Sequence, residues 1–248
     1  MKDYRKLALL KAEAIVAKSI ESKSCTLNLD VKGLTSFPEN LRQHTTLSNL
    51  TLWCRSVRSL PRWLPELENL KTLQLMNSGV KQLPKWLVEM NRLECINIWG
   101  PERATNLEII GELTFLQRLT LQNDRFPSVP IFIRKLTSLK MLVLNNLGLT
   151  TLPDWIAELT QLVWFGASFN KLTGLPNGFD RLTLLEHVRL DGNLISEFPP
   201  ELSKLPLLER LSLMDNAGLQ IPEGILKGEN AREIVAYAAR LDAKMKSG

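Results

Sequence analysis

Leucines and prolines recur along the chain at a fixed spacing. Eight prolines lie on a ladder with a step of 23 residues, and Leu107 occupies the one rung that has no proline. Self-similarity at a fixed period predicts tandem copies of one supersecondary unit, here nine units over residues 24–229 without an insertion. The prolines of the ladder are Pro38, Pro61, Pro84, Pro130, Pro153, Pro176, Pro199 and Pro222.

Each unit opens with a short stretch in which leucines alternate with other residues. The unit that opens at Leu139 reads LKMLVLNNLGLTTLPDWIAELTQ. Alternation with a period of two predicts a strand whose leucines point to one face while the intervening residues point to the other. The L-P-x-x-[LI] segment that follows predicts a short helix or a 3₁₀ turn, which returns the chain to the start of the next strand.

The unit matches the pattern L-x-x-L-x-L-x-x-N-x-L followed by L-P-x-x-[LI]-x-x-L, and the chain therefore resembles the leucine-rich repeat family. The resemblance implies an α/β solenoid, an arc with a parallel sheet on the concave side and short helices or 3₁₀ turns on the convex side. Residues 222–237 are also similar to the end of bacterial arrays, including those that precede a Roc-type GTPase domain. No G-x-x-x-x-G-K-[ST] loop occurs in the sequence, so no GTPase activity is carried over.

Helical caps are expected at both ends of the array, because a terminal unit would otherwise expose its leucines and its sheet edge. Residues 1–23 are predicted to form the N-terminal cap and residues 230–248 the C-terminal cap. The apolar face predicted for the first helix consists of Tyr4, Leu7, Leu10, Ala14 and Ile15. The second helix is predicted from a capping-box spacing and an apolar stripe, formed by Asn230 and Glu233 and by Ile234, Ala238, Leu241 and Met245.

Some units depart from the repeat pattern. The asparagine of the pattern is present as Asn170, Asn193 and Asn216 but absent from the six earlier units. Residues 99–106 lack both this asparagine and the leucine that follows it, so an irregular loop is expected there. Two interpretations of this loop stay open, neutral drift and contact with a partner.

Composition restricts the kinds of partner that the protein is expected to bind and the compartment in which it is expected to reside. The net charge of +5 is too small a basic excess for nucleic-acid binding, which is not expected. No apolar run approaches the ~18 residues of a membrane span, and Lys11 and Glu13 interrupt the start of the chain, so we expect neither membrane insertion nor a signal peptide. Three cysteines at no metal-ligand spacing favour a reducing, cytoplasmic location, with delivery into another cell as an open alternative.

The sequence offers little that could support catalysis on the predicted strands. His187 and Asp191 are four residues apart on one strand, which separates them by roughly 13 Å and prevents the hydrogen bond of a catalytic triad. HExxH, CxxC and glycine-rich phosphate loops are missing from the sequence. We therefore expect no enzyme activity, no catalytic or metal-binding residues and no cofactor.

The outward positions of the strands are better suited to binding a protein. None of the nine outward residues in the units that open at Leu47, Leu70 and Leu93 is charged. Trp and Arg are enriched among the residues that dominate interface energetics. Gly166 is expected to leave a gap beside Trp164 in which a side chain of the partner could insert. The alternative to partner binding is that neighbouring tryptophans stack on each other. The predicted partner-binding residues are Trp53, Met76, Trp99, Arg118, Met141, Trp164, His187, Arg189 and Arg210.

The sequence therefore predicts a monomeric, non-catalytic scaffold for protein–protein interaction, of the kind used in signalling, that binds a partner protein on its concave sheet. The alternative is a regulatory subunit or secreted effector that modulates a partner enzyme in trans. A third class would bind polyanions through a basic cluster on the convex side, formed by Arg58, Arg62, Lys81 and Lys85.

Overall fold

The computed structural model describes residues 2–100, 105–122 and 125–246. The chain forms two compact units, each of which contains several of the 23-residue repeats. The first unit is residues 1–124 and the second unit is residues 125–248. Within the described residues, each unit consists of short parallel strands in chain order, with a 3₁₀ turn between successive strands. This strand-and-turn repeat confirms the predicted leucine-rich repeat fold.

The first unit begins with a helix and continues with five parallel strands. Helix α1 is Lys2–Glu21, and the strands are β1 Thr26–Leu29, β2 Asn49–Leu52, β3 Thr72–Met76, β4 Cys95–Trp99 and β5 Arg118–Gln122. Each strand pairs with the next in a register that advances by 23 residues, so that Leu27 lies opposite Leu50 and Leu50 lies opposite Leu73. The intervening 3₁₀ turns are Glu39–Gln43, Leu64–Glu66, Lys85–Glu89 and Leu107–Glu112.

The second unit has four parallel strands followed by two helices. The strands are β6 Met141–Asn145, β7 Trp164–Gly166, β8 His187–Arg189 and β9 Arg210–Ser212, and the helices are α2 Glu223–Leu226 and α3 Ala231–Lys246. The 23-residue register continues here, with Leu142 opposite Phe165 and Phe165 opposite Val188. The 3₁₀ turns of this unit are Ile131–Lys135, Asp154–Glu158, Phe179–Arg181 and Pro200–Lys204.

Alternation along the strands separates a buried face from an accessible one. In β6, Leu142 and Leu144 are fully buried, whereas Met141 and Asn145 on the other side are half-buried. Val143 is an exception, because it points outward by sequence but is almost fully covered. The inward leucines therefore form the core of each unit, and the outward residues form a surface that is partly open.

Buried asparagines link the repeats of the second unit. Asn170 donates from Nδ2 to the carbonyls of Leu144 (2.8 Å) and Ala167 (2.9 Å), and its Oδ1 accepts from the N–H groups of Leu147 (3.0 Å) and Leu149 (3.1 Å). Asn193 and Asn216 make the corresponding bonds to the repeat before them. Each asparagine thus satisfies backbone groups that would otherwise be buried without partners.

Helix α1 packs on the first repeat through a different face from the one predicted. The buried residues are Ala8, Ala12, Val16 and Ser19. The predicted face is wrong, since its members are exposed, namely Tyr4, Leu7, Leu10, Ala14 and Ile15. Small side chains on the buried side let the helix backbone approach the repeat closely, which bulky leucines would not allow.

Two polar contacts hold α1 in this orientation. Ser19 Oγ and His44 Nε2 lie 2.8 Å apart in the buried contact between the helix and the first 3₁₀ turn. Asn40 Nδ2 donates to the Glu13 carbonyl at 2.9 Å. Burial of the imidazole lowers the pKa of His44 below its ordinary value, because the charged form would lose its hydration.

The C-terminal helix covers the last strand. Ile234 and Ala238 of the predicted stripe are buried and Leu241 is half-buried, whereas the side chain of Met245 lies outside the described residues. Before α3 the chain pairs with β9 in the antiparallel direction, and the Leu211 N–H donates to the Glu229 carbonyl at 3.0 Å. This pairing occupies the edge of β9 that would otherwise be open.

Asn230 caps α3, as its side-chain oxygen accepts from the N–H groups of Arg232 (3.1 Å) and Glu233 (3.3 Å). The boundaries at residues 23 and 229 stay predictions. The loop predicted over residues 99–106 falls largely on residues 101–104, which lie outside the described residues.

Replacement of Leu144 by aspartate is expected to unfold the array. Its side chain is fully buried among inward leucines, and an unpaired carboxylate there should cost at least about 3 kcal/mol of unfolding free energy. Urea denaturation followed by circular dichroism measures the effect. Thr150→Asp adds the same charge at an exposed position of the same repeat and should change stability by no more than about 0.5 kcal/mol. A cooperatively folded Leu144→Asp protein of normal stability would contradict the register.

His44 should make stability depend on pH. Because the folded state lowers the pKa of His44, its contribution is complete above the unfolded value of about 6.5 and decreases as the pH falls below that value. Denaturation midpoints between about pH 7.5 and 5.5 should therefore fall for the wild type more steeply than for His44→Gln, which cannot titrate. Equal slopes for the two proteins would show that His44 does not carry this dependence.

Candidate functional site

Three of the predicted binding residues form one apolar cluster in the first unit. The indole rings of Trp53 and Trp99 meet edge to face, with centroids 5.4 Å apart and an interplanar angle of 82°. Met76 lies on the strand between them and is aligned in register with Trp99. All three side chains are half-buried, so the tryptophans stack on each other while part of their surface stays accessible. We call these residues the Trp53–Trp99 cluster.

A row of uncharged polar residues runs beside the Trp53–Trp99 cluster. Thr51, Gln74 and Asn97 are aligned in register on β2, β3 and β4. Asn97 Oδ1 is buried and, within the described residues, accepts no hydrogen bond. Arg118 is not part of this surface, because it lies at the start of β5, roughly 13 Å along the strand from the end that faces Trp99. The cluster and the row together form a neutral, partly apolar face.

The other predicted residues meet on the strand face of the second unit. Met141, Trp164, His187 and Arg210 form one row in register, and Arg189 lies in the adjacent row opposite Ser212. A cavity of about 370 Å³ opens here, lined by Trp164, His187, Val188, Arg189, Arg210, Ser212 and Glu229. The structure therefore brings together three cationic or imidazole side chains and one indole.

Gly166 does not leave the expected gap beside Trp164. A Cβ atom at Gly166 would lie 2.5 Å from Cζ3 of Trp164, so the indole ring itself covers the glycine. The sequence-based expectation of an insertion site there is wrong, because the tryptophan folds along its own strand into the free space. The absence of a side chain at Gly166 instead fixes where the ring lies.

One carboxylate, that of Glu229, partly balances the positive charge of this cavity. Arg189 Nη2 lies 3.4 Å from Glu229 Oε2, which comes from the segment that pairs with β9. Sequence reasoning missed Glu229, since only the antiparallel pairing brings it to this face. In the described part of the chain no ion pair is formed by Arg210, which leaves its guanidinium available at the rim.

Asp191 is committed to hydrogen bonds with the neighbouring strands. Its Oδ1 accepts from Ser212 Oγ and from the Met214 N–H (3.0 Å), and its Oδ2 accepts from Ser168 Oγ at 3.4 Å. The carboxylate therefore ties three strands together on this face and does not orient His187. Its role in this geometry is structural.

The basic cluster predicted on the convex side is partly neutralised. Arg62 forms two hydrogen bonds of 2.9 Å with the Glu89 carboxylate and also stacks over the ring of Trp86, with Cζ 5.7 Å from the centroid. Trp63 packs edge to face on Phe37, with centroids 6.3 Å apart. The ring contact and the ion pair both join successive turns. The Arg62–Glu89 pair also reduces the positive charge available to a polyanion.

The described residues contain neither a cluster of metal ligands nor a membrane-spanning helix. No group of three or more His, Cys, Asp or Glu side chains is placed so that it could hold a metal ion. None of the described helices combines the length and apolar character needed to cross a membrane.

Comparison with known proteins supports the repeat assignment. Residues 99–217 match the family model described as a leucine-rich repeat region. No curated protein matches the sequence. Among solved structures, a leucine-rich repeat protein of Leptospira interrogans is similar at 24% identity with a TM-score of 0.59, over 83% of this chain and 65% of that one. Internalin C2 of Listeria monocytogenes is similar at 19% identity with a TM-score of 0.60, over 83% and 90%.

A plant peptide hormone receptor, RGFR1, solved in complex with RGF2, is similar at 25% identity with a TM-score of 0.52. The likeness covers 77% of this chain and 32% of the receptor, and the chain spans less than two thirds of both the receptor and the Leptospira protein. Structural likeness at these identities shows the fold, and residues 99–217 match the leucine-rich repeat family model. Together with the nine strands in the described residues, these findings show that the chain has the leucine-rich repeat fold.

Proposed function

We propose that this chain is a non-catalytic protein-interaction module that binds a partner protein through the outward face of its strands. The observation that carries the proposal is the Trp53–Trp99 cluster, an apolar surface left half-accessible beside uncharged polar residues. Interface cores are enriched in tryptophan and methionine and depleted of charge. The fold is typical of interaction modules, and the similar plant receptor is itself solved in a complex with RGF2.

The arrangement of the cluster favours binding because its geometry is already set. Trp53 and Trp99 fix each other through ring contact, so a partner would not have to order two free indoles. Ordering a side chain at an interface costs about 0.5–1.5 kcal/mol, and preorganisation reduces that cost. Asn97 Oδ1, next to the cluster, accepts no hydrogen bond from the described residues, and a small rotation of the amide could direct this oxygen toward a donor of the partner.

The cavity of the second unit would orient the bound partner protein. Arg210 at its rim and the Arg189–Glu229 pair can form charge-assisted hydrogen bonds with a partner, and Trp164 offers an apolar wall. Rim charges of this kind determine specificity and association rate more than affinity. We further propose a monomeric scaffold in the cytoplasm, in keeping with three cysteines that are all free.

Loss of the two cluster tryptophans should remove the partner. In affinity purification from native lysate, Trp53→Ser/Trp99→Ser is expected to lose at least one protein that the wild type captures, with binding weakened by about 2 kcal/mol or more. The matched control is Trp63→Ser/Trp86→Ser, which removes two indoles from the 3₁₀-turn side. Equal thermal stability of the three baits is a precondition.

Two other results of this affinity purification would overturn the proposal. If the cluster variant recovers the same proteins as the wild type, the cluster is structural. If the control variant alone loses a partner, binding takes place on the 3₁₀-turn side.

Gly166→Ala is expected to displace the ring of Trp164. The added methyl group would overlap Cζ3, and the ring can move only by changing the cavity that it lines. The indole N–H signal of Trp164 in a nitrogen-15 NMR spectrum should therefore shift. Gly174→Ala is the control, because nothing lies within 4 Å of a Cβ at Gly174. An unchanged Trp164 signal in Gly166→Ala would show that the ring does not rest on the glycine.

A further inference from the structure

The strand face of the first unit carries a row of uncharged side chains that can form hydrogen bonds. They are aligned in register, one on each of the strands β1 to β5. None of these side chains makes a hydrogen bond with another described residue, and the oxygen of Asn97 is buried without a donor. We call them the amide–hydroxyl row, and its members are Asn28, Thr51, Gln74, Asn97 and Thr120.

The strand face of the second unit, in contrast, satisfies its own polar groups. Asn145 Oδ1 accepts from the Ser168 N–H at 2.8 Å, and the Asp191 carboxylate accepts from the hydroxyls of Ser168 and Ser212. These bonds join neighbouring strands, so the side chains that form them are committed to the fold. The amide–hydroxyl row makes no such bonds, although its strands are aligned in the same 23-residue register. Its donors and acceptors are therefore available to a ligand.

The chemistry of the amide–hydroxyl row fits a neutral ligand that has both donors and acceptors. A threonine hydroxyl and a side-chain amide can each donate and accept a hydrogen bond, and neither group carries a charge. Along the described residues of these five strands, outward charges occur only at the two ends of the face, as Asp30 directly after β1 and Arg118 at the start of β5. A strongly acidic or basic ligand would lose hydration over the row without gaining an opposite charge.

The main chain of an extended polypeptide offers this combination of groups. Every residue except proline has one N–H donor and one C=O acceptor. Helices and sheets pair these groups internally, whereas an extended loop or terminus leaves them free to bind another surface. The row crosses four strand spacings, roughly 19 Å, which an extended segment of about six residues would cover. The row therefore matches a short extended segment in length and in chemistry.

The Trp53–Trp99 cluster lies beside the row and suits the side chains of such a segment. The interplanar angle of 82° means that the two indoles do not form one flat platform. A sugar ring stacks best on a flat aromatic face, whereas an apolar side chain fits the angle between two rings. The flexible thioether of Met76, on the strand between them, can adapt to the shape of that side chain. The cluster thus favours a peptide over an oligosaccharide.

We propose that the amide–hydroxyl row binds the main chain of an extended, uncharged segment of the partner protein. This proposal rests on the protein-binding function proposed above and names the part of the partner that the strand face recognises. The segment would cross the strands, with its main chain bonded to Thr51, Gln74 and Asn97 and one apolar side chain against the Trp53–Trp99 cluster. Binding of this kind depends little on salt, because no charge pair contributes to it.

Selection from a phage-displayed library of random linear peptides of about twelve residues, on the full chain, tests the proposal. The selected peptides should be poor in charged residues, and their affinity should change by less than about twofold between about 0.05 and 0.5 M salt. The strongest binder is then synthesised, and fluorescence anisotropy measures its affinity. Methylation of single main-chain nitrogens removes one donor at a time and leaves every side chain in place. At one or more positions it should weaken binding by about tenfold.

The matching change in the protein is Gln74→Ala/Asn97→Ala, which should weaken binding of the synthetic peptide by about tenfold or more. It breaks no hydrogen bond within the described residues, so its urea midpoint should stay close to that of the wild type. The control is Gln43→Ala/Asn91→Ala, which removes two exposed amides in and after the 3₁₀ turns of the same unit and should leave binding unchanged. A much lower urea midpoint for Gln74→Ala/Asn97→Ala alone would assign the two amides to the fold and overturn the proposal.

Other results would also contradict main-chain recognition. The proposal is wrong if methylation at every position leaves the affinity unchanged, or if no selected peptide needs the amide–hydroxyl row. Should Trp53→Ser/Trp99→Ser still lose a protein in affinity purification, the protein-binding function stands and only the extended segment is ruled out. A glycan that binds the wild type on an array but not Gln74→Ala/Asn97→Ala would assign the row to an oligosaccharide instead. If the tryptophan variant loses neither a protein nor a peptide, both proposals fall.

Discussion

The contact between inward leucines of successive repeats is the constraint on which the rest of the structure depends. Leu27, Leu50 and Leu73 lie side by side because the register advances by 23 residues at every step. Since side chains alternate along a strand, a shift of one residue would turn the whole apolar set of that strand toward water. The same register aligns the outward residues in rows. The Trp53–Trp99 cluster and the row that contains Trp164 are therefore consequences of core packing.

This dependence explains which features the sequence could predict. The strands and turns follow from leucine and proline spacing, and the bonds of Asn170 follow from the repeat pattern once the strands are in register. The packing face of α1 could not be predicted in this way. Two sets of apolar residues have helical spacing, and hydrophobicity alone favours the bulkier set, with Leu7 and Leu10. Close approach to the first repeat and the Ser19–His44 contact select the smaller set.

The sequence could predict which residues of the candidate site are aligned on neighbouring strands. It could not predict the directions in which their side chains point. Strand position placed Trp53, Met76 and Trp99 together, while the direction of each ring depends on rotamers and on neighbouring volume. Trp164 covers Gly166 for that reason. Glu229 reaches the face of the second unit only through a reversal of chain direction beside β9, and no periodicity in the repeats contains that information.

The antiparallel strand pairing beside β9 also bears on how such an array can change its length over evolution. The Glu229 carbonyl already accepts from the Leu211 N–H, and the chain there runs against the direction of the other strands. A duplicated 23-residue repeat cannot join β9 at this edge without displacing that segment. New repeats are accommodated at least cost between existing ones, where both neighbours offer parallel strands in the same register. Growth from within would leave both terminal helices in place and would lengthen the strand face and the 3₁₀-turn side together.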